Sequence, residues 1–381
     1  MAVENGSGVM RMIEKELVIV GAGPAGLIAA IEAAKAGVDV LLIDENTRPG
    51  GQLFKQIHKF FGSHAHKAGV RGMDIGTELL GETDKLGIEV WLSSEVCGIE
   101  NGHDVWVIRN SSETQYVHAK KVILATGATE NAVSFPGWDL PGVMGAGAAQ
   151  TMINVNRVLP GRKVVMVGSG NVGVIVSYQL LQAGAEVAAI VEAAPFLGGY
   201  GVHTAKVCRA GVPFYVSHTV KAAYGSERVE KIELVRLDEK FNQIPGTEFE
   251  VEADTVCLAT GLTPLTELAW ISGCQFDFVP ALGGFLPIHN AQLQTTNPDI
   301  YIAGDIAGIE EASTAMEEGR LAGISASAAL GYISKGDAEQ LTDKIWDSLN
   351  ALRSGYFGQK RRDAKDYMLK RGSEVIVCST C

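Results

Sequence analysis

The sequence predicts an α/β protein of two parallel-sheet modules, the first split in sequence around the second, with a short helical C-terminal tail. Three observations predict it. Residues 17–45 read as strand, glycine turn, helix and strand, ended by acids. Residues 163–192 repeat that order. Each module then closes on an apolar strand that runs into Ala-Thr-Gly, at Ala125-Thr126-Gly127 and at Ala259-Thr260-Gly261. A repeat of this length is an internal duplication.

In chain order, residues 1–14 are expected to be a mobile leader. Residues 17–20 form a short apolar run that suits a buried parallel strand. Gly21, Gly23, Pro24, Ala25 and Gly26 build a G-x-G-x-x-G turn. The first glycine allows the bend, the second lets the backbone approach a pyrophosphate, and the third lets helix pack on strand. The alanine-rich helix 25–36 offers free N–H groups and a positive dipole end to phosphates. Strand 38–43 stops at Asp44, with Glu45 beside it, where a carboxylate can accept hydrogen bonds from an adenosine ribose. This makes the module a Rossmann-like dinucleotide-binding domain.

Gly51 and Gln52 follow. Segment 54–71 is rich in aromatics and carries His58, His64 and His66 with Lys55, Lys59, Lys67 and Arg71. It can line a cofactor, a partner surface or a solvated loop. A helix is expected over 73–86, a strand over 88–96 with Val96 at its end, a β excursion over 98–118 and a closing strand over 121–126. The turn-rich link 135–142 marks a domain crossing. After a helix near 146–156, Gly168, Gly170, Asn171, Val172 and Gly173 form the second glycine turn, and its second strand is stopped by Glu192. The strand 248–258 ends near Gly261, and a second crossing near 280–293 returns to the first module. The expected boundaries are 15–138 and 285–333 for the split domain, 139–284 for the inserted one and 334–381 for the tail.

Strand 300–303 leads to Gly304 and Asp305. A Gly-Asp beside the first module can place a carboxylate on the ribityl chain of a flavin. The helix starting near Ala312 and Ser313 would aim its N-terminus at the flavin pyrimidine ring, where a positive end stabilises charge that builds on reduction. FAD is therefore the expected cofactor of the first module. In the second, Glu192 favours NAD(H) over its 2′-phosphorylated form, although a duplicated module can also stand empty.

The formal net charge of −12 argues against nucleic acid as a partner. No segment is long and apolar enough for a transmembrane helix, and a cytoplasmic protein is expected. Cys97, Cys208, Cys257 and Cys274 lie on or beside apolar runs, as buried free thiols do. Cys378 and Cys381 are spaced C-x-x-C. They read as half of an iron–sulfur site completed by a partner, as a dithiol relay, or as an inert tail. The basic stretch 353–371 reads as a docking surface for an acidic partner or as an exposed helix face.

Together these motifs resemble the two-dinucleotide-domain FAD/NAD(P) oxidoreductases, the group with thioredoxin reductase and lipoamide dehydrogenase. The resemblance covers about residues 15–330. It implies that Gly51 and Gln52 lie along the flavin, that Val96 meets the adenine through its backbone and that Thr126-Gly127 lie under the cofactor. The redox cysteine pairs of those two enzymes are absent here. The stretches 49–52, 135–147, 168–182 and 191–202 are similar to the FAD-binding α-type subunits of heteromeric amine dehydrogenases. Those include opine oxidase, hydrogen cyanide synthase, dye-linked proline dehydrogenase and sarcosine oxidase. That likeness implies a subunit that relays electrons from a glycine-oxidase-like flavoprotein partner, with a small iron–sulfur protein as a further partner. The alternatives are a free-standing NADH-dependent flavin reductase and a non-catalytic, flavin-stabilised scaffold.

Overall fold

Leu17, Val18, Ile19 and Val20 are all buried, so both faces of their strand must be covered. Leu17 and Ile19 pack with Leu27, Ile31 and Leu321 of a helical layer. Val18 and Val20 pack on the other side with Trp91, Ala269 and Ile306. Two covered faces are what a parallel sheet requires. The computed structural model describes residues 2–5, 8–60, 63–355 and 358–378, with side chains described from 12 to 376 within them.

The first strand of the parallel sheet spans Gly8–Val20. Val40–Ile43 and Glu89–Trp91 lie to one side of it, and Glu113–Leu124 and Ile300–Ile302 to the other, all parallel. By chain position the parallel strands run 3-2-1-4-5, a doubly wound order. The β excursion is present: Glu113–Leu124 also pairs antiparallel with Asp104–Arg109, and that strand with Ser94–Glu100.

The chain divides into two units, 1–129 with 263–381, and 130–262. The second repeats the design of the first. Lys163–Val167 lies between Glu186–Glu192 and Thr255–Leu258, with Phe214–Val216 and Val143–Gly145 outermost, all parallel. Val164 and Met166 face the helices Ala146–Thr151 and Asn171–Gln182. Val165 and Val167 face the antiparallel sheet of His218–Tyr224, Lys231–Arg236 and Phe249–Glu252.

Several expectations change. Of the expected leader, 2–5 and 8–14 are strand: Ala2–Asn5 pairs with the start of Gly8–Val20, and Met12 to Lys15 stay in register with Tyr116 to Ala119. The unit boundaries fall at 129/130 and 262/263, ahead of the expected 138/139 and 284/285. Phe135 already packs in the core of the second unit, and Ala269 and Cys274 already pack in that of the first. The helix near 146–156 is α-helical only to Thr151, and Met152–Asn156 widens into a π turn. Cys257 and Cys274 are buried, whereas Cys97 and Cys208 are exposed.

The two sequence halves of the first unit meet through helices. Pro24–Lys35 packs on Ala312–Ala329 with small residues at the contact. A Cβ on Gly319 would fall 2.2 Å from the Ala25 carbonyl oxygen, and one on Gly323 would fall 2.6 Å from that of Ala29. The helices therefore approach backbone to backbone. The tail adds the helices Lys335–Leu352 and Gln359–Cys378. Among the described residues, no helix is long and apolar enough to cross a membrane.

The Gly319 contact gives a test. Gly319→Ala overpacks the helix pair and is expected to cost about 1–3 kcal/mol, read as a lower urea midpoint. Gly336→Ala, where an added Cβ meets nothing within 4 Å, is the control and should stabilise by about 0.4–1 kcal/mol.

Candidate functional site

The first glycine turn separates structural from functional demand. Gly21, at φ 100°, cannot carry a side chain, since a Cβ would lie 2.3 Å from the Ala125 carbonyl oxygen. A Cβ on Gly26 would lie 1.8 Å from the Gly21 carbonyl oxygen. Gly23 differs. A Cβ there meets nothing within 4 Å, so the fold itself leaves open space above the middle of the turn. Pro24 and Ala25 begin the helix behind it, and no side chain caps that helix start. An open cradle at an uncapped helix N-terminus fits the pyrophosphate of a dinucleotide.

The ribose acid is in place. Asp44 is buried, and its Oδ2 accepts from the Ala22 N–H at 2.6 Å. Its Oδ1 accepts from the Asn46 backbone N–H and Nδ2 at 2.8 and 2.9 Å. A carboxylate has roughly four lone-pair positions, so one on Oδ2 is left for a ribose hydroxyl. Glu45 is exposed. Gly50 donates its N–H to the Ala22 carbonyl at 2.6 Å, and a Cβ on Gly51 would lie 2.9 Å from Gly23 Cα. These contacts bring Gly51 and Gln52 to the turn. Thr126 donates its hydroxyl to the Leu265 carbonyl at 2.6 Å, and Gly127 accepts from the Leu265 N–H at 3.0 Å.

Gly304 lies on the same turn, where its Cβ would sit 3.0 Å from that of Ala25. Asp305 follows, half-buried. Burial pushes its carboxyl up to about 6, and Glu318 adds to the rise while the Glu310 N–H opposes it. Ala312 and Ser313 open the helix Ala312–Ala329, with no side-chain cap. The parts expected of an FAD site from residues far apart in sequence are thus assembled in one unit.

Sequence reasoning missed what fastens this segment. Glu318 Oε2 accepts from the Gly304 N–H at 3.1 Å. Glu318 Oε1 accepts from Arg353 Nη2 and Lys365 Nζ, both at 2.6 Å. Arg353 also donates to both oxygens of Glu310, and Lys365 to the Ala307 carbonyl at 3.0 Å. Glu318, Arg353 and Lys365 are each 2–3 % exposed. Burial lowers the Arg353 pKa, but Glu318 and Glu310 outweigh it and hold the guanidinium above its ordinary value. Arg353 and Lys365 are therefore held in internal ion pairs and are not part of a docking face, which corrects the reading of 353–371 at those two positions. The same helix crosses His289 closely, since a Cβ on Gly372 would lie 1.9 Å from the His289 carbonyl oxygen.

In the histidine-rich segment, His66 is buried with its Nε2 3.1 Å from Glu317 Oε1 and its Nδ1 2.8 Å from Ser63 Oγ. His64 is exposed. Val96 is not at a strand end. Ser93, at φ 47°, breaks the expected strand, and Val96 sits inside Ser94–Glu100 opposite Val107, just before a register slip. Cys381 lies outside the described residues, as does the side chain of Cys378.

The second turn has the same skeleton. Cβ atoms on Gly168 and Gly173 would clash with the Ala259 and Gly168 carbonyl oxygens at 2.3 and 2.1 Å, whereas one on Gly170 meets nothing within 4 Å. Glu192 Oε2 accepts from the Ser169 N–H and hydroxyl at 2.9 and 2.7 Å. A loop is also seated on this turn. Gly198 donates its N–H to Ser169 Oγ, and Tyr200 donates its N–H to Asn171 Oδ1. Val172 is exposed. Gly261, at φ 112°, lies near Asn131.

Residues 15–319 match the family described as pyridine nucleotide-disulphide oxidoreductase. The chain is 30% identical over 334 residues to one of the subunits of opine oxidase from Agrobacterium tumefaciens (strain Ach5), covering 84% of this chain and 66% of that one. It is 30% identical over 389 residues to the HcnB subunit of hydrogen cyanide synthase from Pseudomonas aeruginosa, covering 94% and 81%. The chain spans just under two thirds of two opine oxidase subunits that it matches, at 66% and 64%. The fold is similar to T. acidophilum thioredoxin reductase, with TM-score 0.68 and 22% identity over 83% of this chain and 99% of that one. It is similar also to L-proline dehydrogenase from P. horikoshii, with TM-score 0.66 and 23% identity over 89% and 60%. The chain belongs to the pyridine nucleotide-disulphide oxidoreductase family, which implies FAD and NAD(P) binding.

His289 supplies a pH test. It is fully enclosed, and burial, followed by Lys365 and Arg353, pushes its pKa down to about 4. Its folded value lies below the unfolded value of about 6.5, so its contribution is complete above pH ~6.5 and is lost as pH falls toward 4. His289→Asn keeps a donor for the Pro287 carbonyl and removes the titration. Between pH ~6.5 and 4 the native chain should lose stability relative to this variant by on the order of 3 kcal/mol, measured by urea unfolding.

Proposed function

We propose that this chain is the FAD-carrying electron-relay subunit of a heteromeric dehydrogenase whose substrate is an amino acid, opine or related amine. The observation that carries the reading is the likeness along 94% of the chain to one component of hydrogen cyanide synthase, in a sequence with no cysteine pair beside either glycine turn. A flavoprotein of this family without such a pair needs another route for electrons, and a flavin-bearing partner supplies one. In this reading substrate oxidation belongs to a glycine-oxidase-like partner, and the complex is cytoplasmic.

The cofactor assignments are part of the proposal. The turn of Gly21, Gly23 and Gly26 holds the FAD pyrophosphate, and Asp44 holds the adenosine ribose. Asp305 faces the ribityl chain, and the helix start at Ala312 and Ser313 faces the flavin pyrimidine. Bound there, FAD supplies two-electron redox chemistry, and the residues of this chain hold and orient it. The network of Glu318, Arg353 and Lys365 acts indirectly, by fixing the backbone at Gly304.

A second reading, an NADH-dependent flavin reductase, is favoured by Glu192 at its strand end and by the open space at Gly170. Against it, the loop at Gly198 and Tyr200 is hydrogen-bonded to the turn that a second dinucleotide would use.

Gly23→Ala tests the FAD site. Its methyl meets nothing at φ −73°, so the flavin-free chain should melt no lower than before. FAD affinity should fall at least ~10-fold, because the methyl stands where a pyrophosphate needs close backbone approach. Unchanged FAD affinity would remove the site from this turn. Gly21→Ala should instead lower the stability of the flavin-free chain by about 1–3 kcal/mol or more.

Native pull-down with cofactor analysis, followed by anaerobic reduction, separates the two functions. The relay reading expects a co-purifying flavoprotein and flavin bleaching by an amino-acid or amine substrate only when that partner is present. Rapid bleaching of the isolated chain by NADH, with no partner recovered, makes it a reductase.

A further inference from the structure

We propose that His103, Asp104 and His118 form a binding site for one divalent transition-metal ion of the zinc class, separate from both dinucleotide turns and from the terminal cysteines. One ligand atom from each of the three side chains lies within 4.8 Å of the others. Two imidazoles and a carboxylate suit zinc and its neighbours, and they leave a position for water.

The chain builds this cluster from its β excursion. Asp104 and His118 are directly opposite one another in the antiparallel ladder of Asp104–Arg109 and Glu113–Leu124. Directly opposed side chains share a face of the sheet. His103 precedes Asp104 and would face away in a regular strand. The turn before it, with Asn101 at φ 49° and Gly102 at φ 83°, brings the His103 ring to 5.0 Å from that of His118. His118 Nδ1 and Asp104 Oδ1 are 2.6 Å apart, so a shared ion would replace that hydrogen bond.

Groups behind the ligands hold them as supporting residues hold metal ligands. Asp299 Oδ2 lies 3.2 Å from His103 Nδ1, and a carboxylate on one ring nitrogen leaves the other for an ion. Asp299 is itself held by Lys121 Nζ at 2.6 Å. Asn101 Nδ2 donates to Asp104 Oδ2 at 2.8 Å, which leaves Oδ1 directed at His118. Burial would raise the Asp104 pKa, but hydrogen bonds from Asn101, His118 and Tyr116 outweigh it, and the carboxyl stays anionic at neutral pH. Asp104 is buried, while His103 and His118 are partly exposed and give an ion access.

Asp299 enters the strand Ile300–Ile302, whose other end leads to Gly304. The proposed ion therefore sits at the end of the sheet away from the glycine turn. Its role is to clip the turn before Asp104 to the strand Glu113–Leu124, not to take part in redox chemistry.

The test uses the full chain carrying Cys378→Ser and Cys381→Ser, so that terminal thiols do not compete. After chelator treatment it is titrated with zinc chloride by calorimetry, and its melting temperature is followed. The expected result is one equivalent of zinc per chain with a rise in melting temperature. Affinity should fall at least ~10-fold in His118→Gln and in His103→Gln, and about 10-fold in Asp299→Asn. Two histidine variants guard against one failing to fold, and metal-free melting curves check both. Absence of saturable binding, or binding unchanged in both histidine variants, overturns the proposal.

Discussion

The first unit depends on a backbone-to-backbone contact between two helices that lie nearly three hundred residues apart in sequence. Ala25 and Ala29 meet Gly319 and Gly323 at distances that exclude any Cβ on the glycines. That contact joins the split halves of the domain. It also sets Gly304 against Ala25, at the first glycine turn. Any larger side chain at the contact would force the helices apart and with them the two halves of the candidate site. The constraint explains why the first helix is alanine-rich: its small side chains are what allow the approach, and helix propensity is a secondary gain.

The second structural determinant is the buried charge network around Glu318. Two carboxylates, a guanidinium and an ammonium are enclosed together, and each oxygen of Glu318 has a defined donor. Buried charge is expensive to desolvate, and such a network is tolerable only when every member is satisfied. Removing one member would strand the others, so the cost of a break exceeds the net worth of the pairs. Its placement ties the tail helices to the backbone beside Asp305, and the tail is thereby part of the domain.

Much of the fold was legible because its signals are local. Strand, turn, helix and acid follow one another within some thirty residues, and each glycine of the turn has a reason that spacing alone conveys. The duplication made the second module legible as well. What was not legible depends on distant pairing. Arg353 and Lys365 looked like surface charge because their partners, Glu310 and Glu318, lie on other segments with no shared periodicity. His66 and Glu317 are likewise far apart in sequence. Val96 was misplaced because Ser93 adopts a left-handed backbone that no apolar pattern announces. In the cluster at His103, one ligand reaches the shared face only through the Asn101-Gly102 turn, so alternation along a strand does not reveal it.

The middle glycines of the two turns lead to a further point about descent. Gly23 and Gly170 have ordinary φ values of −73° and −62° and open space around them, so neither is required for folding. Their neighbours in the turns are required. After duplication, a copy that lost its dinucleotide would be free to drift first at this position, while the flanking glycines stayed fixed by sterics. Gly170 has not drifted in this chain. Related sequences that carry a larger residue there, with the outer glycines intact, would mark the branches in which the second module became purely architectural.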